Sequence, residues 1–286
     1  PVFPRGGGTG LVGGAIPTSK GIVLSLERLT KIEIDKENLM AVAEAGVTLA
    51  QLIEEADKAG LSFPLHPGDE GATVGGLVAC NAGGARAVRT GIIRSLVKGI
   101  EVVLPTGEIL KLGGKLLKNN TGYNLMHLFI GSEGTLGVIT KAILRLFPRY
   151  PYSITIVVPF ENRHDAISCV PEILRSGVIP LAIEYVERDL VEKSAKALGL
   201  TWPCKEGKFF LMIILAEISE DIVYSQAEKV VSICEKYKCL EPVVAERRDE
   251  QENILKIRSE IYKVLKPDTI DILDVTVPPA KVGELI

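Results

Sequence analysis

Apolar positions first follow a two-residue period. Residues 22–26 read as a buried strand, 30–35 as an alternating strand, and 40–45 as a third that stops at Gly46. The period then becomes helical. Leu49, Leu52, Ile53 and Ala56 share a face, Thr48 precedes them as a cap and Gly60 follows as a stop, which predicts a helix ending at Ala59. Residues 72–76 lead into a short apolar helix that ends at Asn81-Ala82-Gly83-Gly84. Strands at 100–104 and 108–112 flank Pro105-Thr106-Gly107 and predict a hairpin. A helix at 125–130 and a strand at 138–147 complete the first half. A capped helix after several strands suits an α+β domain better than a doubly wound parallel sheet.

Two prolines, Pro148 and Pro151, flank Arg149-Tyr150 and place a boundary there, giving expected domains 1–148 and 149–286. Beyond it the pattern predicts a strand at 153–159 and a helix at 163–175 with Ala166, Ile167, Val170 and Leu174 on one side. Next come a strand at 182–186, a helix at 190–198, a buried strand at 209–216 and a long helix at 221–238. A short strand at 243–245, a helix at 250–265 and a last strand at 270–277 follow. Helices alternating with strands suggest a ferredoxin-like α+β cap.

Composition narrows the function. The net charge of −3 offers nucleic acid no electrostatic attraction. The longest apolar run, residues 209–216, is far short of the ~20 residues of a membrane span. The five cysteines, Cys80, Cys169, Cys204, Cys234 and Cys239, are scattered without a C-x-x-C pair, which argues against iron–sulfur or zinc ligation and suits a reduced, cytoplasmic protein. Glycine separates the halves: 24 of the 28 glycines precede residue 148, so the first half runs on close backbone approaches.

The densest glycine run, residues 4–14, reads Pro-Arg-Gly-Gly-Gly-Thr-Gly-Leu-Val-Gly-Gly. Such a run can turn backbone N–H groups toward an anion, and Arg5 beside it can pair with a phosphate bidentately; the alternative is a surface arginine. Gly8, Gly10 and Gly13 spell G-x-G-x-x-G, but a Rossmann turn needs a helix next, and Gly14-Ala15-Ile16-Pro17 cannot start one. The glycines and alanines around 72–84 leave room for something flat, or for close helix-to-strand packing. Of the three histidines, His66 reads as structural or polar lining, His127 as a packed or half-exposed helix residue and His164 as solvent-facing. Their separation gives no local metal spacing.

The run from Pro4 to Gly10 resembles the pyrophosphate loop of FAD enzymes of the vanillyl-alcohol-oxidase / p-cresol-methylhydroxylase (PCMH) type, and within them the glycolate oxidase D-subunit and D-lactate dehydrogenase branch. Residues 131–139, Gly-Ser-Glu-Gly-Thr-Leu-Gly-Val-Ile, resemble the same family's signature, and the three clusters come in its order and spacing. The resemblance implies a PCMH-type FAD-binding domain followed by the cap. It implies FAD contacts from Pro4, Arg5, Gly6, Gly7, Gly8, Thr9 and Gly10. Pro67, Gly68, Thr73, Gly75, Gly76, Asn81 and Gly84 follow in the second cluster, and Glu133, Gly134, Gly137, Val138 and Ile139 in the third. The start of the 74–79 helix would favour negative charge on the reduced flavin. Covalent members carry a histidine in the first loop where this chain has Thr9, so FAD is expected to be noncovalent.

The resemblance further implies oxidation of a D-2-hydroxy acid such as lactate or glycolate, with hydride passing from Cα to flavin N5 and electrons moving on to a carrier protein or quinone. Arg258, in Ile254-Leu255-Lys256-Ile257-Arg258, resembles the cap-helix arginine that meets the substrate carboxylate; the alternative is an exposed helical arginine. Divalent-metal ligands and the base would lie beyond residue 286, and a β-α-β piece before residue 1. A protein of these residues alone is then expected to bind FAD weakly at best and to be inactive. An enolpyruvyl-UDP-N-acetylglucosamine reductase-like enzyme using NADPH, and a non-catalytic FAD-binding subunit of a complex, stay open as alternatives, as does peripheral membrane association.

Overall fold

A computed structural model describes residues 1–286, which divide into two compact units, Pro1–Arg149 and Tyr150–Ile286. The first unit opens with β1 (Val2–Arg5) and β2 (Ile22–Ser25), paired parallel as a separate ribbon. Then come β3 (Ile32–Asp35), β4 (Met40–Glu44), α1 (Leu49–Lys58), β5 (Leu61–Ser62), α2 (Val74–Ala79), α3 (Ala87–Thr90) and α4 (Ile93–Leu96). The unit closes with β6 (Val97–Val103), β7 (Ile109–Gly113), α5 (Met126–Phe129), β8 (Val138–Arg145) and β9 (Phe147–Pro148).

Five of these strands form an antiparallel sheet in the order β3-β4-β8-β6-β7, and β5 pairs with β9. The core gathers Leu49, Leu52 and Ala56 of α1, Val74, Leu77 and Val78 of α2, and Ala41, Ala43, Ala142 and Leu144 of the sheet. Alanines at the sheet surface let α2 approach closely. α1 forms as its sequence dictates: Thr48 Oγ1 accepts the Gln51 N–H and the Gln51 side chain accepts the Thr48 N–H, a reciprocal cap.

The second unit runs β10 (Tyr152–Phe160), α6 (Arg163–Ser168), α7 (Val170–Arg175), β11 (Ala182–Glu187), α8 (Arg188–Leu198), β12 (Phe209–Glu217), α9 (Glu220–Lys236), β13 (Val243–Ala245) and α10 (Arg248–Leu265). Its antiparallel sheet has the order β11-β12-β10-β13, the ferredoxin-like arrangement with α8 inserted between the second and third strands. Ile154, Ile156, Val158 and Phe160 of β10 face α6, α7 and α9 with Leu211, Ile213 and Leu215 of β12. The alternate residues Val157, Phe210 and Met212 are buried too, with the Trp202 ring edge-on against Phe210. Sheet residues on both faces are therefore dry, which is why β12 reads as an unbroken apolar run.

Three sequence expectations fail. The strand at 22–26 is not buried: Ile22, Val23 and Leu24 are exposed because their ribbon pairs only with itself. The helix at 163–175 is two helices, since Pro171 has no N–H to continue the ladder after Ser168. The last strand at 270–277 does not form; no strand lies beside it, and Ile270, Leu273 and Val275 stand exposed. The short helices α3 and α4 were not anticipated.

Two stability tests follow from these elements. Thr48→Ala removes the α1 cap and should destabilise the protein by about 1 kcal/mol, read by urea denaturation. Hydrogen bonds from Lys115 and then Asn38 hold the Asp35 carboxyl down at about 2. Its folded value lies below its unfolded one, so its stabilisation is complete above the ordinary carboxylate range and is lost as pH falls toward 2. The urea midpoint of Asp35→Asn should therefore lack that part of the wild-type acid dependence.

Candidate functional site

Helix α2 and the turn after it bring the three glycine clusters together within the first unit. Gly7 N–H donates to Thr73 Oγ1 at 3.2 Å, and a Cβ on Gly6 would meet that same oxygen at 2.3 Å, so the first loop lies directly on the residue that opens α2. At the other end of α2, the carbonyls of Val78 and Ala79 accept the N–H groups of Gly131 and Glu133 at 3.1 and 2.9 Å. First and third clusters also touch: a Cβ on Gly134 would meet Pro4 Cγ at 3.1 Å, and one on Gly14 the Glu133 carboxylate at 3.5 Å.

The first loop turns through Gly8 and Gly13, with φ of 70° and 77°, a region only glycine enters freely. The Arg5 guanidinium folds back over Gly8, its Nη2 2.9 Å from where a Cβ would sit, and stays exposed. Thr9 belongs to this loop, and Gly10 and Gly68 have nothing within 4 Å of a built Cβ. Gly76 is half-buried, with only Thr73 Oγ1 near.

Other predicted contacts have structural duties. Gly75 is buried against Ala45, whose Cβ lies 2.7 Å from a built Cβ, and a Cβ on Gly84 would fall 2.1 Å from the His66 carbonyl oxygen and 2.8 Å from the Pro67 nitrogen. At these two positions helix-to-strand and backbone packing by itself requires glycine. Gly137 likewise packs on Val102, the Ile139 side chain belongs to the core, and Val138 and Ile139 pair with Val103 and Val102 of β6. The start of α2 does not offer its first donors to a ligand. The Val74 and Gly75 N–H groups already donate to the carbonyls of Val47 and Ala45.

Two polar atoms are buried here without hydrogen-bond partners, Asn81 Oδ1 and Ser132 Oγ. Asn81 itself is left-handed, with φ of 50°, as is Glu133 with φ of 53°. A strained backbone and orphaned polar atoms beside a glycine cradle fit a polar, flat ligand that takes up their hydrogen bonds. Burial, with the Glu133 carboxylate added, pushes the adjacent Cys80 thiol up.

His127 and His164 belong to α5 and α6 and Arg258 to α10, whereas the His66 carbonyl backs Gly84. His66 Nδ1 stands 3.9 Å from Glu70. His127 is exposed on α5, its imidazole pushed down by burial and then by Arg94 and Lys98. His164 opens α6, where Asn162 caps its N–H. No group of three or more metal-ligating side chains gathers in the chain. Arg258 belongs to the second unit, where it pairs with Glu184 of β11 and lines an open cavity of about 550 Å³ with Tyr185, Leu190, Ser259 and Tyr262. Sequence reasoning missed Arg86 and Arg94. Arg86 follows Gly84 by two residues; burial pushes its guanidinium down, and its Nε has no partner.

Gly6→Ala should displace the first loop, because its methyl would fall on Thr73 Oγ1, whereas Gly10→Ala enters open space. Amide hydrogen exchange at Gly7 should quicken in the first variant and stay unchanged in the second.

Comparison with known proteins agrees with this geometry. Residues 1–113 match the FAD binding domain, and residues 150–286 match the C-terminal domain of FAD linked oxidases. The chain is 45% identical to a D-lactate dehydrogenase of Archaeoglobus fulgidus, over 99% of this chain and 62% of that protein. It is 35% identical to the glycolate oxidase subunit GlcD of Bacillus subtilis, over 100% of this chain and 61% of that protein. It thus spans less than two thirds of the length of these curated relatives. Its fold is similar to that of p-cresol methylhydroxylase, with a TM-score of 0.72 at 21% identity over 92% of this chain and 59% of that one. Its two matched domains, in this order, and its relatives of known class place the chain in the PCMH-type FAD-binding flavoproteins, in the family related to the D-lactate dehydrogenases and glycolate oxidase.

Proposed function

We propose that this chain is the flavin-binding and cap portion of an enzyme that oxidises a D-2-hydroxy acid of the lactate or glycolate type. The observation that carries the reading is the gathering of three glycine clusters around α2, with Asn81 Oδ1 and Ser132 Oγ buried and unpartnered beside them. FAD, when bound, supplies the acceptor for the hydride that leaves the substrate Cα, and the electrons then pass to a carrier protein or quinone.

The chain's own residues would bind and orient. Arg5 and the backbone of Gly6, Gly7, Gly8 and Gly10 suit the phosphates, with Thr9 and Pro4 closing the loop. Gly76, Asn81, Glu133 and Gly134 are the second- and third-cluster residues best placed to meet the cofactor. Pro67, Thr73, Gly75, Gly84, Gly137, Val138 and Ile139 serve mainly by holding the backbone in place, while the uncrowded backbone at Gly68 suits a ligand contact. With threonine rather than histidine at position 9, the attachment is noncovalent.

Arg258 is assigned the substrate carboxylate, a planar charged pair that guanidinium makes bidentately once Glu184 yields. The substrate hydroxyl needs a base within hydrogen-bond reach. His66, His127 and His164 stand on separate elements, so we assign the base and any divalent-metal ligands to parts of the longer protein. We also assign it to the cytoplasm; no helix of the chain is long and apolar enough to cross a membrane. One relative is named as a subunit, which favours work inside a complex as a second reading.

FAD titration of the full-length protein, followed by anaerobic mixing with 2-hydroxy acids, tests the proposal. Stoichiometric flavin binding and bleaching by D-lactate or glycolate are expected; bleaching by NADPH instead would move the assignment to the reductase class. Arg258→Gln should raise KM by roughly ten- to a hundredfold, the worth of a charged hydrogen-bonded pair.

A further inference from the structure

Between the second and third glycine clusters lies a cation that neither cluster contains. Arg94 sits on the single-turn helix α4, and the neighbouring Ile93 N–H donates to the Ala82 carbonyl at 2.9 Å, which fixes α4 to the turn after α2. From there the Arg94 guanidinium donates twice. Nη1 reaches the His127 carbonyl at 3.1 Å and Nη2 the Ile130 carbonyl at 2.6 Å. Both acceptors lie at the end of α5, where helix carbonyls run out of intrahelical partners. Ile130 directly precedes Gly131, which turns with φ of 85° and faces Asn81: a Cβ there would stand 3.1 Å from Asn81 Cβ and 3.4 Å from Arg94 Nη2.

Strain is concentrated at this junction. The chain has four non-glycine residues with positive φ, and two of them, Asn81 and Glu133, flank the contact. Such conformations persist only where surrounding structure holds them. The backbone bonds from Gly131 and Glu133 to α2 fix one side of the turn, and Arg94 fixes the other. A guanidinium is suited to this because its rigid fork reaches two carbonyls at once.

We propose that Arg94 is a positioning residue of the cofactor site. It clamps the 131–134 turn against Asn81, so that the orphaned Asn81 Oδ1 and Ser132 Oγ stand ready for the ligand. The proposal rests on the FAD reading above and adds a residue that touches neither the first glycine loop nor, on this account, the cofactor itself. Losing two charge-assisted hydrogen bonds should loosen the turn and weaken the site while leaving the fold in place.

The test uses the full-length protein and three readouts: FAD affinity by fluorescence quenching, visible circular dichroism of the bound flavin, and the thermal midpoint of the apoprotein. Arg94→Ala should lower FAD affinity by roughly tenfold or more and alter the flavin dichroism, with dilute free guanidinium restoring part of both. Arg94→Lys, whose ammonium is a point donor rather than a fork, should fall between that variant and wild type. If Arg94→Ala does not fold, Arg94→Lys decides by the same readouts. Wild-type affinity and dichroism in a folded Arg94 variant, with only the thermal midpoint lowered, would overturn the proposal and leave the FAD reading intact. Failure of the wild-type protein to bind FAD would remove both.

Discussion

Hydrogen bonds from backbone N–H groups to one six-residue helix and its cap hold the first unit's glycine clusters together. Thr73 at the head of α2 receives the first glycine loop, and the Val78 and Ala79 carbonyls at its tail receive the third cluster. Loops that are distant in sequence therefore meet at a helix barely two turns long. Such a helix has little stability of its own. Its order comes from burial of Val74, Leu77 and Val78 against the sheet and from the two strand-side carbonyls that take up its first N–H groups. The site depends on the core beneath it rather than on local propensity.

Glycine serves two different purposes in this architecture. At Gly75, Gly84 and Gly137 a side chain would collide with protein, and the missing Cβ is a packing requirement. At Gly10 and Gly68 no neighbour stands close, and at Gly8 only the mobile end of Arg5 does. The second group leaves backbone open to an anion or a flat ring; the first merely lets the scaffold close. A glycine-rich signature is thus partly a record of tight packing and partly a record of backbone left uncovered by the protein's own side chains. The two are interleaved along the same stretch of chain.

The second unit solves a different problem. Its four-stranded sheet has buried residues on both faces, so β12 is apolar from Phe209 to Ala216 and contains no glycine. Burying a large side chain such as Phe160 or Phe210 contributes about 1.5–3 kcal/mol, enough to order a sheet with few special backbone conformations. Within this unit Arg258 is tied to Glu184, a largely buried pair that fixes where the guanidinium sits.

Much of this was legible in the sequence. Periodicity and turn chemistry located the capped helix α1, the β6–β7 hairpin and the strands of the second sheet, because each is specified by residues near one another. The order of strands and helices carried the α+β class, and cluster order and spacing carried the family. Tertiary structure alone decided the rest. It left β2 exposed and residues 270–277 outside any sheet, since strand formation requires a partner that no local pattern encodes. It separated the packing glycines from the open ones, and it brought Arg94 to the Ile130 carbonyl across 36 residues of chain. An isolated arginine in a single-turn helix has no periodic or motif signal. Its role exists only where the folded backbone places unpartnered carbonyls within its reach.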